Sequence, residues 1–330
     1  MKKILVLCGT GAIGTYLVPE LLSMGYKVDV VSVDDVISHH INLRYIKLDL
    51  SDFYKVKELV KGEYNAIIDL FVYRSVELFK PYADLFLNSS DQYIFFSSYR
   101  VYAGDYPIKE TSPRLFDLTK DDVLLKSGDY CIYKAQCEDY LKNSGKKNWT
   151  ILRPSITFSK RRFQLVTLEA DVFMWRVFNH KTVILPREAM DIQGTLTWAG
   201  DSGRLIARLI FNPYAYGEIF TVSTSEHHTW KEMAQIYNEI KPFSYICVDA
   251  KTYCDLIIPD NIFIKQQLVY DRCLNRVVDN TKILNATGMK QEQLASAKQS
   301  LAFELRGYIA DSCSPFNKNF DDYISKMETK

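Results

Sequence analysis

The first half of the chain alternates short apolar runs with longer amphipathic stretches. Lys3 to Leu7, Val28 to Val33, Arg44 to Leu48, Ala66 to Leu70, Tyr93 to Ser97 and Thr150 to Arg153 read as strands. Between them, Gly14 to Met24, Asp52 to Lys61, Ser75 to Leu87 and Tyr130 to Asn143 have helical length. This alternation predicts βαβ units and an α/β fold, a Rossmann-type doubly wound parallel sheet. Pro19 falls inside the first helix, where the loss of one backbone bond is expected to kink or locally weaken it. After Pro154 the rhythm becomes irregular, and a last apolar run, Glu218 to Val222, is placed to rejoin the sheet. The aromatic stretch with Phe173, Trp175 and Phe178 reads as core of a second lobe.

The apolar run that opens the chain is followed by Gly9-Thr10-Gly11-Ala12-Ile13-Gly14 and then by a helix. Glycines at this spacing allow a tight turn and close approach of a ligand to the backbone, and the helix amino terminus that follows suits a pyrophosphate. Asp34 stands at the end of the next strand, about 20 residues after the last glycine, where a carboxylate can bind a ribose diol. The same carboxylate repels a 2′-phosphate, and no arginine lies beside it in Ser32-Val33-Asp34-Asp35-Val36, so NAD is favoured over NADP. The chain thus divides into a dinucleotide-binding domain over 1–155, with 191–222 returning to it, and a smaller mixed carboxyl-terminal substrate lobe over 156–190 and 223–330.

Composition narrows the function classes. With 330 residues, 47% hydrophobic, 25% charged and a formal charge of +1, the chain is globular and has no general affinity for polyanions. No apolar run approaches the roughly 18 residues of a membrane span, and the five-residue run after Lys2-Lys3 is too short for an export signal. Seven scattered cysteines without a C-x-x-C pair read as reduced thiols in a cytoplasm. His39-His40 and His227-His228 are adjacent pairs, not ligands one helical turn apart, so no metal is expected. The three N-x-S/T sequons, at Asn88, Asn148 and Asn285, read as chance matches.

Tyr130-Cys131-Ile132-Tyr133-Lys134 puts a phenol and an ammonium four residues apart on one helix face, where the cation can favour the phenolate. The spacing alone says little among 22 tyrosines, and a second copy runs from Tyr237 to Lys241. Only the first follows a strand ending Phe95-Phe96-Ser97-Ser98, which presents a hydroxyl at the carboxyl edge where such sheets bind ligands. The second reads as an ordinary amphipathic helix face.

Gly9 to Gly14, Ser97-Ser98-x-x-Val101-Tyr102, Tyr130-x-x-x-Lys134, Thr150-Ile151-Leu152-Arg153-Pro154, Thr229-Trp230-Lys231-Glu232 and Asp279-Asn280-Thr281-Lys282 with Gly288 occur in the order of one family. The chain resembles, over nearly its whole length, the extended short-chain dehydrogenases/reductases, the NAD-dependent epimerase/dehydratase family. The resemblance implies Ser98, Tyr130 and Lys134 as the catalytic set. Ser98 would bind the reacting oxygen, Tyr130 would exchange its proton, and Lys134 would also hold the nicotinamide ribose. It implies that Gly9, Thr10, Gly11, Ala12, Ile13, Gly14, Asp34, Asp49, Leu50, Leu70, Lys134 and Pro154 meet the cofactor. A homodimer is implied by the resemblance only.

Departures from the family shape the reaction expected. Tyr99-Arg100 follows Ser98 where dehydrating members carry Asp-Glu, and the decarboxylating members' glutamate would sit at Arg100. Epimerisation of a nucleotide-activated sugar, with NAD recycled in place, is what remains. Ile156 replaces the asparagine after Arg-Pro, and Leu70-Phe71-Val72-Tyr73 replaces His-x-Ala-Ala. Arg161, Arg162, Arg272 and Arg276 are candidates for a diphosphate clamp because guanidinium forks suit phosphate oxygens. Taken singly, each also fits a solvated surface charge. Two alternatives stand beside the epimerase: an NAD(P)-dependent sugar or carbonyl reductase, and an RNA-binding protein, since some motifs also resemble a divergent branch with chloroplast stem-loop-binding proteins. The balanced charge disfavours an RNA partner.

Overall fold

The computed structural model describes residues 1–104 and 106–329. Its centre is a seven-stranded, all-parallel sheet. The strands are β1 (Lys3–Leu7), β2 (Lys27–Ser32), β3 (Leu43–Lys47), β4 (Ala66–Asp69), β5 (Gln92–Phe96), β6 (Trp149–Pro154) and β7 (Glu218–Val222). They lie in the order β7-β6-β5-β4-β1-β2-β3, so the order of winding reverses about β1 and leaves a crevice between the ends of β1 and β4. The doubly wound sheet and the return of Glu218–Val222 to it agree with the sequence reading, with strand ends displaced by a residue at most sites.

The strands read as continuous apolar runs because helices cover both faces of the sheet. Alternate residues serve opposite layers. Ile4, Val6, Ile68 and Leu152 pack on one face against Leu17, Leu21 and Ile206, while Leu5, Ile67, Phe95 and Ile151 pack on the other against Phe79, Phe86 and Leu141. Register brings the carboxyl ends level: Leu7 pairs with Asp69, Asp69 with Phe95, Phe96 with Leu152 and Pro154 with Val222. The loops leaving β1, β4, β5 and β6 therefore open onto one edge.

The expected weakening at Pro19 does not interrupt the first helix, which runs from Gly14 to Ser23. Pro19 is exposed, so water can take up the Thr15 carbonyl that loses its helical partner. A third core, with Phe158, Phe173, Ile184, Trp230, Tyr237 and Phe320, builds the lobe over the crevice. Tyr237 is 1% exposed there and its hydroxyl donates to the Gln164 carbonyl at 3.2 Å, so the second Tyr-x-x-x-Lys copy starts in the lobe's core. The helix Thr281–Thr287 buries Ile283 in the same core as β1, so this late segment packs with the layer that holds the helix Gly14–Ser23. Glu304 ties the lobe to the glycine helix: its carboxylate accepts from the Tyr16 hydroxyl, from Trp198 Nε1 at 2.5 Å and from the Lys160 amide at 2.7 Å. Among the described residues no helix is long and apolar enough to cross a membrane.

One buried ion pair fixes the sheet edge on which the site is built. Glu138, on the helix Tyr130–Lys142, is fully buried and accepts from Arg153 on β6 at 2.6 and 2.8 Å and from the Ser97 hydroxyl at 2.6 Å. Removing one member leaves an uncompensated buried charge, so Glu138→Ala is expected to lower stability by about 3–5 kcal/mol. Urea unfolding measures this, and a loss below about 1 kcal/mol, the level of a surface pair, would show that the pair does not hold the edge.

Candidate active site

Sterics require glycine at two places in the turn after β1. A Cβ on Gly14 would lie 2.1 Å from the Gly9 carbonyl oxygen, and one on Gly9 would lie 2.8 Å from a Val30 methyl. Gly11 differs: its nearest neighbour would be the Cys8 oxygen at 3.7 Å, so packing within the chain does not forbid a side chain there. Its bareness leaves room for whatever sits on the turn. Within the described residues nothing accepts from the amides of Ala12 and Ile13, which precede the helix Gly14–Ser23. Two free N–H groups at a helix amino terminus form an anion site.

Asp34 follows β2 as an exposed residue. Hydrogen bonding from Thr10, then Ser32, and the nearby charge of Arg161 hold its carboxyl below the usual range. Thr10 Oγ1 lies 2.8 Å from Ser32 Oγ, and Ser32 Oγ accepts from the Asp34 amide at 3.0 Å, so the glycine turn and the acid are one hydrogen-bonded unit. Asp49 accepts from the Ser51 amide at 2.9 Å, and the Leu50 carbonyl accepts from the Tyr82 hydroxyl at 2.6 Å. Cys8 sits at the base of the turn, where burial pushes its thiol up to about 12, so it is no thiolate nucleophile at neutral pH.

At the other side of the crevice, Lys134 is 1% exposed and donates to the Phe96 carbonyl at 2.6 Å. Its Nζ lies 5.6 Å from the centre of the Tyr130 ring, and the Arg100 guanidinium lies 5.4 Å from the same centre. The phenol thus has a cation on each of two neighbours. Asp69, fully buried at the end of β4, is held by the hydroxyls of Tyr73 and Tyr93 at 2.6 and 2.7 Å. Burial raises its pKa against those bonds and the Lys134 charge. Ser98 Oγ accepts from the Arg100 amide at 3.2 Å, which leaves its own hydrogen free to donate. Ser97, by contrast, is spent on Glu138.

A cavity of about 530 Å³ joins the two sides. Gly11, Ala12, Ile13, Gly14, Leu70 and Pro154 line it together with Ser98, Tyr130 and Lys134. Gly9, Thr10, Asp34, Asp49 and Leu50 lie outside this lining. Of the four arginines proposed for a diphosphate, Arg162 and Arg272 face the cavity and Arg161 and Arg276 do not. Arg161 is exposed, on the Asp34 side.

Solvated surface charge is the wrong description for two of them. Arg272 and Arg276 are 2% and 1% exposed. Both contact the buried Asp271 carboxylate, Arg276 through Nε at 3.3 Å, and Arg100 Nε approaches it at 3.5 Å. Burial pushes both Arg272 and Arg276 down to about 10. The sequence gives no periodic sign of this cluster, because Arg100 and Asp271 meet only in space. Arg100 and Tyr99, also in the lining, had signalled themselves only by standing where members of the family that the motifs resemble carry acids.

No protein-family model matches the chain, and no curated protein matches it. Solved structures do. An epimerase from Methanothermobacter thermautotrophicus shares 16% identity over 92% of this chain and 91% of its own, with a TM-score of 0.71. The UDP-glucose 4-epimerase of Thermus thermophilus, in complex with NAD, shares 19% over 93% and 98%, with a TM-score of 0.66. The UDP-glucuronic acid 4-epimerase of Bacillus cereus, in complex with UDP-glucuronic acid and NAD, shares 17% over 92% and 97%, with a TM-score of 0.65. The fold expected from the motif resemblance is the fold observed, and this chain has the fold of these epimerases along nearly its whole length.

Proposed function

We propose that this chain is an NAD-dependent epimerase acting on a nucleotide-activated sugar. One observation carries the reading: the amide-bearing glycine turn and the set of Ser98, Tyr130 and Lys134 line a single cavity, so a dinucleotide on the turn and a sugar at Ser98 would share one space. The NAD complexes among structures of the same fold support the choice of cofactor.

The residues fit that cofactor. The free amides of Ala12 and Ile13 would take its pyrophosphate, Gly11 leaves the space for it, and the ionised Asp34 would accept from a ribose diol. When bound, NAD supplies a hydride acceptor that also returns the hydride. The chain's own residues handle the proton. Ser98, its oxygen engaged by the Arg100 amide, would donate to the reacting sugar oxygen. Tyr130, as its phenolate, would take the hydroxyl proton as the carbon loses hydride, and Lys134 and Arg100 would favour the phenolate that this step consumes and the return step restores. The resulting ketone is planar at the reacting carbon. Return of hydride to its opposite face, with the proton from Tyr130, inverts that carbon and leaves no net oxidation. No acid follows Ser98 to expel water, which speaks against dehydration.

One observation favours a second reading, an NADP-dependent reductase: the charge of Arg161 reaches Asp34 and could meet a 2′-phosphate. Cofactor preference decides between the two. Asp34→Arg is expected to weaken NAD tenfold or more and to raise NADP affinity, as read by calorimetric titration, and an unaltered protein that prefers NADP would overturn the epimerase. Tyr130→Phe is expected to lower kcat about 10²–10⁴-fold, the usual range for general acid–base catalysis, while NAD affinity stays unchanged. Turnover at the wild-type rate would take Tyr130 out of the mechanism.

A further inference from the structure

Four exposed apolar side chains gather about the helix Ile262–Gln267. Val123, Ile262, Phe263 and Val269 are between 37% and 59% exposed. Ile262 stands between two recesses. With Val123 of the helix Asp122–Lys126 it lines one of about 320 Å³, and with Val269 it lines another of about 490 Å³ that reaches the buried Cys254 and Leu268. Single exposed apolar residues are ordinary, whereas a connected group beside open recesses marks a contact surface.

Charge on this face is balanced. Asp122, Asp255 and Asp260 in the two linings stand against Lys126, Lys251 and Lys265. Two pairs are closed within the chain, Lys126 on Asp122 at 2.9 Å and Lys251 on Asp255 at 2.6 Å. Asp260 and Lys265 are exposed, and among the described residues neither makes an ion pair. Lys251 reaches Asp260, and Asp121 reaches Lys265, only as more distant charges. A polyanion or a cationic peptide would meet one of these two charges and repel the other. A second copy of this chain meets both. When the helix packs antiparallel on its own copy, centred between Ile262 and Phe263, Asp260 comes to face Lys265 of the partner subunit, because the two residues lie equally far in sequence from that centre. A two-fold axis repeats the pair and leaves the apolar side chains in the middle, with charge at the rim.

We propose that this face is a homotypic interface, an isologous contact with a second copy of the chain that centres on Ile262 and Phe263 and is closed by two Asp260–Lys265 pairs across the axis. The interface does not depend on the reaction assigned above, but it touches the same wall. Gln267 and Arg272, from the same helical stretch, line the cavity that holds Ser98, Tyr130 and Lys134, so the partner rests on the outer side of that wall.

Sedimentation equilibrium of the full chain over a dilution series tests the proposal. The wild-type assembly is expected to hold an even number of subunits, and Ile262→Arg to halve its mass. Asp260→Lys and Lys265→Asp each set like charges face to face and are expected to weaken association about tenfold or more. The double variant restores opposite charges and is expected to return association to within about threefold of wild type, a recovery that a merely misfolded variant would not show. A monomeric wild-type protein would overturn the proposal. So would an assembly whose mass is unchanged in Ile262→Arg, or a double variant that associates no more tightly than the single ones.

Discussion

The site depends on a buried cation. Lys134 cannot remain charged in the protein interior without partners, and it finds the Phe96 carbonyl at the last residue of β5 and the field of the buried Asp69. That bond pins the helix Tyr130–Lys142 to the sheet edge and holds the ammonium beside the Tyr130 ring. One turn further along the same helix, Glu138 grips Arg153 and Ser97. The elements that carry Ser98, Tyr130 and Lys134 are therefore locked by two polar contacts at their base, and the hydroxyls of Ser98 and Tyr130 do not have to supply the rigidity themselves.

The crevice facing this set is shaped by the opposite means, the absence of side chains. Gly9 and Gly14 are demanded by packing within the chain, and Gly11 by the space it leaves. Thr10 and Ser32 then couple the turn to Asp34. A parallel sheet whose order of winding reverses at β1 delivers the glycine turn and the Ser98–Tyr130 side to one edge without a long loop reaching across. Glu304 completes the arrangement by fastening the lobe to Tyr16 in the first turn of the glycine helix.

The sheet was legible in the sequence because strands covered on both faces are continuous apolar runs, and the glycine spacing marked where the first one turns. Even Glu218–Val222 declared itself by the same pattern after a long irregular stretch. The tyrosine and lysine were legible through spacing and the preceding strand, whereas the copy at Tyr237 needed the structure to show its burial. Arginine behaviour was not legible. Arg272 and Arg276 look like surface charge in sequence because the oxygens that hold them in the interior, those of Val166 and Gln164 for Arg272 and of Tyr102 for Arg276, lie far away along the chain. Pro19 illustrates the converse: local propensity predicts a weakened helix, and solvent at its exposed face absorbs the defect.

The central claim is that one cavity removes hydride and proton from a sugar carbon and returns both. The most direct measurement follows a nucleotide sugar deuterated at the carbon that inverts, turned over in ordinary water with NAD present. The account predicts inverted product that keeps its deuterium, with no build-up of reduced nicotinamide. Inverted product that has exchanged its deuterium for solvent hydrogen would contradict the account, since it would mean that the carbon is deprotonated and not oxidised.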